Sequence, residues 1–207
     1  MKIAGSLKTL GIKLLFAALC YATSVCAAPT ESVRASNAVG PANAPVLIEF
    51  FSDLQCPMCA RYEPMVKTLR TEFGDKTRMV LRHFPVSEHQ HAVPAAWAAE
   101  AAGNQGKFWE MAEALYKTQW MWAKAPAPRT FFRDQAKQLG LDLDKFEKDM
   151  DSEEVHDRVN ADRMHAQKYG VKTVPSVVIN GLNIPDSEFN ENGFRAAINA
   201  ALTKASR

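Results

Sequence analysis

Two periods of hydrophobic patterning alternate along the chain, and the changes of period mark its elements. Val46 to Phe51 is a run of mostly β-branched or aromatic residues, which reads as a buried central strand. Beyond Cys59, the residues Tyr62, Met65, Val66, Leu69 and Phe73 recur at helical spacing. Gly74 stands where a carboxyl-terminal helix cap belongs, so Cys56 is expected at the amino terminus of this helix. Pro64 lies inside it and is expected to kink it by removing one backbone donor. Thr77 to Phe84, halted by Pro85, reads as a second strand with Met79 to Leu81 as its apolar middle.

Between Ser87 and Gly170 the period is almost wholly helical. Helices are predicted over Pro94 to Ala102, Lys107 to Lys117, Arg129 to Leu139, and Leu143 to Met150. A last one starts at a capping-box pattern, Asp151 with Glu154, and runs to Tyr169 before Gly170. Val174 to Ile179 then reads as a strand, Asn180-Gly181 as a turn, Leu182 to Ile184 as a short return, and Glu188 to Thr203 as a final helix. There is no internal repeat. The order implies one mixed sheet with helices on its faces, an α/β architecture in which residues 45–86 and 171–207 form the core and 87–170 a helical insertion.

The amino terminus differs from the rest. Residues 1–27 carry Lys2, Lys8 and Lys13 without an acid, an apolar run from Leu14 to about Val25, and small residues at Ala27 and Ala28. This is the pattern of a secretory signal peptide, cleaved near Ala27. The apolar run, broken by Tyr21, Thr23 and Ser24, falls short of the roughly 20 residues a spanning helix needs. Lipid modification at Cys26 is a lesser alternative, because Val25 is bulky. Residues 28–44, polar and turn-rich with Pro29, Thr30, Ser32, Asn37, Gly40 and Pro41, read as a leader with no core of its own.

Composition excludes several classes. Of 207 residues, 47% are hydrophobic and 23% charged, which fits a globular protein and no disordered polymer. The net charge is +2, and residues 28–207 keep 22 of the 25 basic residues against 23 acidic ones, so there is no basic footprint for nucleic acid.

Export also changes the cysteine arithmetic, since Cys20 and Cys26 leave with the signal. Cys56 and Cys59 remain. A bridge between them closes too short a loop to stabilise a fold much, and a closed zinc site lacks further ligands at finger spacing. Redox chemistry is the reading that uses both. A thiolate at Cys56 would be stabilised by the open N–H groups and positive end of a helix, lowering its pKa below about 8.5. Cys59, one turn on, is expected to be more buried and to resolve mixed disulfides; Pro57 and Met58 tune the balance.

Phe51-Ser52-Asp53-Leu54-Gln55-Cys56-Pro57-Met58-Cys59, Pro64, and Thr173-Val174-Pro175 ahead of a strand ending at Asn180-Gly181 resemble the exported DsbA-like branch of the thioredoxin superfamily. The resemblance covers roughly residues 42 to 204. It implies a thioredoxin-like fold with an inserted helical domain, a cis bond before Pro175 packed against the active pair, and substrate backbone binding at Val174. It also implies reduced or unfolded exported proteins as substrates and a DsbB-like membrane partner that reoxidises the pair. No cofactor and no metal are called for. Val174 matches oxidases more than isomerases, and the absence of an amino-terminal dimerisation domain points the same way; a monomer is expected.

Two positions depart from the pattern. Met58 stands where the well-known oxidase has His and cannot donate a hydrogen bond to the thiolate, which keeps a reductase or isomerase open. Phe50 stands six residues before the first cysteine, where the family commonly has Glu. Glu49, one further back, is expected to face the other side of the strand and not to relay protons. From another class, a non-catalytic holdase or metal-binding module remains as a rival.

The five His residues (His83, His89, His91, His156 and His165) read as solvated or structural. Trp120, Met121 and Trp122 are more simply packing than a peptide groove, Trp97 and Trp109 are core, and the charge-rich Lys145 to Arg163 is a solvated face.

Overall fold

The structure, a computed structural model, describes Met1 and residues 37–206. The expected signal peptide, its cysteines and most of the expected leader lie outside the described residues. Five strands form one mixed sheet: β1 (Ala38–Val39), β2 (Val46–Ser52), β3 (Thr77–His83), β4 (Ser176–Ile179) and β5 (Leu182–Asn183), in the order β1-β3-β2-β4-β5. Only β2 and β3 are parallel, which requires a crossover; α1 (Pro57–Glu72) supplies it.

β2 is central and covered on both faces, which is why it reads as a continuous apolar run instead of an alternating one. Ile48 and Phe50 point towards Val66 and Leu69 of α1 and towards Phe194 and Ile198 of α8 (Glu191–Ala205). Phe51 points the other way, with Val178, Ala166 and Val171. Between β3 and β4 lie α2 (Ala92–Gly103), α3 (Phe108–Lys117), α4 (Gln119–Trp122), α5 (Pro128–Gln138), α6 (Leu143–Met150) and α7 (Glu153–Lys168). Buried alanines of α2 (Ala95, Ala98, Ala99, Ala102) let these helices approach closely around Phe108, Met111, Leu115, Trp122, Phe132 and Phe146. The same cluster reaches Leu54, Cys56 and Cys59.

Several expectations are corrected. Residues 28–44 are not wholly without structure: Asn37 is buried and donates to Leu81 O at 3.0 Å, and β1 pairs antiparallel with β3. Gly40 (φ +92°) makes that approach possible, since a Cβ there would lie 2.0 Å from Thr77 O. The carboxyl-terminal cap of α1 is Phe73, not Gly74. α7 is capped by Ser152, whose hydroxyl accepts from Val155 N, while Asp151 pairs with Arg129. β4 starts at Ser176, two residues late, directly after the cis Val174–Pro175 bond. Asn190 caps α8 and places its start at Glu191, with Asp186–Glu188 a separate 3₁₀ turn. Trp97 and Trp109 are half-buried, Trp109 under the Arg70 guanidinium at 4.5 Å.

The stretch from Lys145 to Arg163 is not a uniformly solvated face. Asp162 is fully buried and accepts from Arg82 Nη1 at 3.0 Å and from His83 N at 3.0 Å. Arg82 also donates to Glu49 Oε1 at 2.9 Å, and His165 Nε2 lies 2.6 Å from the same oxygen. Burial pushes the Glu49 carboxyl up, but the His165 hydrogen bond and the Arg82 charge outweigh it and hold it below the usual range. Glu49 thus faces away from Phe50, as the sequence implied, and is committed as an anion to tying β2 and β3 to α7.

Arg82→Met would leave Glu49 and Asp162 buried without their guanidinium. We expect a loss of about 3–5 kcal/mol in urea unfolding; a loss near zero would mean that these carboxylates need no partner.

Candidate active site

Cys56 is the residue that caps α1 from outside, with extended φ and ψ (−72°, 121°), and Pro57 occupies the first turn, where a missing N–H is harmless. Asp53 O accepts from Cys56 N at 3.0 Å and closes the turn between β2 and α1. The two cysteines are free thiols, Cys56 with 7% exposure and Cys59 with none.

Their chemistry is unequal. The Cys59 thiol donates to Cys56, and the N–H groups of Cys59 and Met58 add to it; against burial, these draw the Cys56 pKa down to about 6. Donating a hydrogen bond to Cys56, together with burial, pushes Cys59 far up, against donation from the Asp53 amide and the Ser52 hydroxyl. One sulfur is therefore a nucleophile and good leaving group at neutral pH, and the other holds its proton.

The predicted neighbours fall around this pair to different degrees. Val174 packs against the cluster that contains both cysteines, and the Val174–Pro175 bond is cis. Ser176 pairs with Phe51, so Pro175 lies one step further, beside the end of β2 that leads to Cys56. Met58 is half-exposed next to Cys56. Trp120, Met121 and Trp122 separate: Trp122 is wholly buried against Phe132 and donates to Leu115 O, while Trp120 is 82% exposed.

Sequence reasoning missed the polar frame. The Asp53 carboxylate accepts from Gln55 N at 2.7 Å and Val86 N at 3.0 Å, and pairs with His89 Nδ1 at 2.7 Å. Gln55 donates to Ala123 O at 2.7 Å and accepts from His91 N at 2.6 Å. Gln119 donates to Leu54 O at 2.7 Å and Cys56 O at 3.2 Å. His89 and His91 thus hold the loop after β3, a structural role in keeping with expectation. Two polar residues within the apolar approach to Cys56 were a usable signal for Asp53 and Gln55; nothing local marks Gln119.

His83, Glu100 and Asp162 also bring ligand-type atoms within 4.8 Å of one another. Arg158 already lies 2.6 Å from Glu100 and Arg82 3.0 Å from Asp162, so the cluster carries its own cations.

A family model described as thioredoxin matches residues 32–200. The chain belongs to the thioredoxin family. Its fold is thioredoxin-like, of the DsbA-like type. A thioredoxin-like oxidoreductase from Silicibacter pomeroyi superposes with a TM-score of 0.70 at 27% identity, covering 84% of this chain and 98% of that one. Wolbachia pipientis alpha-DsbA1 gives 0.69 at 20% identity, covering 82% and 92%. Among curated sequences, the Na(+)/H(+) antiporter NhaA 1 of Salinispora arenicola is 36% identical over 164 residues, 79% of this chain but 24% of the antiporter. The chain spans about a quarter of the length of the curated relatives it matches, so the antiporter name describes a much longer protein. Among the described residues, no helix is long and apolar enough to cross a membrane.

The unfolded chain keeps the Cys56 proton up to about pH 8.5, whereas the folded reduced protein keeps it only up to about 6. Reduced-state stability is thus expected to rise with pH across that interval and to fall as pH drops through about 6. Ultraviolet thiolate absorbance of the reduced protein is expected to titrate near pH 6. A midpoint in the ordinary thiol range would contradict the hydrogen bond from Cys59.

Proposed function

We propose that the chain is an exported protein-thiol oxidase that donates the Cys56–Cys59 disulfide to reduced proteins. The observation that carries this is the placing of Cys56 at the amino-terminal cap of α1 beside a fully buried Cys59, which draws the Cys56 pKa down to about 6 and keeps Cys59 protonated. Stabilising the reduced pair destabilises the disulfide and makes it more oxidising. Substrate thiolate attacks Cys56, a mixed disulfide forms, and a second substrate thiol releases the oxidised product and the reduced pair.

Val174, Pro175, Pro57 and Met58 frame the bound substrate and tune the pair, with residues 87–170 as an inserted domain over the active end. The apolar, cationic amino terminus supports secretion with cleavage near Ala27, and hence a periplasmic protein, a monomer, whose oxidant is a DsbB-like membrane partner. The antiporter relatives add no transport role here.

Oxidation of a reduced, cysteine-containing secreted protein should be accelerated by the wild type and abolished by Cys56→Ser. Cys59→Ser, with Cys56 first converted to its mixed disulfide with glutathione, is expected to exchange glutathione for a substrate thiol and to hold it as a substrate mixed disulfide, visible by non-reducing electrophoresis. Retained turnover in Cys56→Ser would overturn the assignment, and binding of the reduced protein unaffected by losing both thiols would favour a holdase.

A further inference from the structure

We infer that the Ser52 hydroxyl, oriented by Tyr116, stabilises negative charge on Cys59 whenever the Cys56–Cys59 disulfide opens or closes. Ser52 is then a catalytic residue and Tyr116 a positioning residue. This rests on the reading of Cys56 as the attacked sulfur.

The need arises from burial. Cys59 has no exposure, so water cannot solvate a charge on its sulfur, and an uncompensated buried charge is very costly. In the fully reduced protein the problem does not arise, because Cys59 is a thiol donating to the Cys56 thiolate. In the exchange step it does. The substrate thiolate sulfur bonds to Cys56 Sγ, the Cys56–Cys59 bond breaks, and its electron pair stays on Cys59 as a thiolate that later takes a proton from solution. During that step Cys56 is covalently occupied and carries no charge. By microscopic reversibility, the same charge is present when Cys59 attacks the mixed disulfide to re-form the bond.

Fixed donors are therefore required at Cys59, and two face it: the backbone N–H of Asp53 and the hydroxyl of Ser52. Ser52 is the last residue of β2 and fully buried. Its Oγ lies 2.5 Å from the hydroxyl of Tyr116 on α3, which is itself buried. When Tyr116 O–H donates to Ser52 Oγ, the Ser52 hydrogen is left for the sulfur. Tyr116 keeps that proton: burial, and after it the nearness of Cys59, push its ionisation well up. The carboxylates nearest in sequence are already engaged, Glu49 by Arg82 and His165 and Asp53 by two N–H groups and His89.

The test separates charge on Cys59 from structure in general. Oxidised wild type, Ser52→Ala, Tyr116→Phe and the double variant are mixed with reduced glutathione at one pH, and opening of the disulfide is followed by stopped flow. The double variant leaves neither hydroxyl unpaired, so its fold is expected to be kept. Alkylation of reduced Cys56 by iodoacetamide is the control, because it involves no departure of Cys59. Loss of a hydrogen bond to a charged group predicts that Ser52→Ala and the double variant open roughly tenfold more slowly or worse, and Tyr116→Phe by a smaller factor. Alkylation is expected to stay within about twofold of wild type, since the donors of Cys56 remain. Unchanged opening rates, or opening and alkylation slowed in parallel, would overturn the inference. A wild-type disulfide inert to glutathione would instead overturn the oxidase reading beneath it.

Discussion

One hydrogen bond, from the Cys59 thiol to the Cys56 thiolate at the start of α1, is the interaction on which the chemistry depends. It needs Cys56 at the cap, Cys59 one turn inside, and enough burial that the pair is not shared with water. α1 supplies the spacing, Pro57 makes the first turn rigid, and the apolar cluster under α2 and α3 supplies the burial. The bond also makes the two sulfurs different: each pulls the other's ionisation in the opposite direction.

Around it, the polar groups divide into two systems on either side of β2. On the α7 side, Glu49, Arg82, Asp162 and His165 form a buried ionic cluster that joins the sheet to the helices. At the carboxyl end of β2, Asp53, Gln55 and Gln119 bind the backbone of three segments that converge on Cys56. The first fixes where the strand lies and the second fixes where it ends. Neither requires the carboxylate of Glu49 to approach the thiols.

The fold was legible where one physical signal dominated. β2, α1, α6 and the Asn180-Gly181 turn follow from apolar runs, helical spacing and turn-forming residues, and Cys56 and Cys59 stand out by their spacing once residues 1–27 are set aside. What escaped depends on partners distant in sequence. β1 is two residues long and exists because β3 offers it an edge; Asp162 is buried because Arg82, eighty residues away, meets it. Tyr116 and Gln119 lie in helical stretches whose periodicity says only which face is inward, not that one hydroxyl meets Ser52 or one amide meets Cys56 O. Asp151 and Ser152 are both cap-forming residue types; Ser152 takes the cap of α7, and Asp151 pairs with Arg129.

The central claim is that the protein stabilises the reduced pair over the disulfide, and equilibrium with glutathione redox buffers measures that directly. Thiol trapping of Cys56 and Cys59 across the buffer series yields the reduction potential. The account predicts an oxidising value towards roughly −120 mV. A value near about −270 mV, that of a thioredoxin-like reductant, would contradict it.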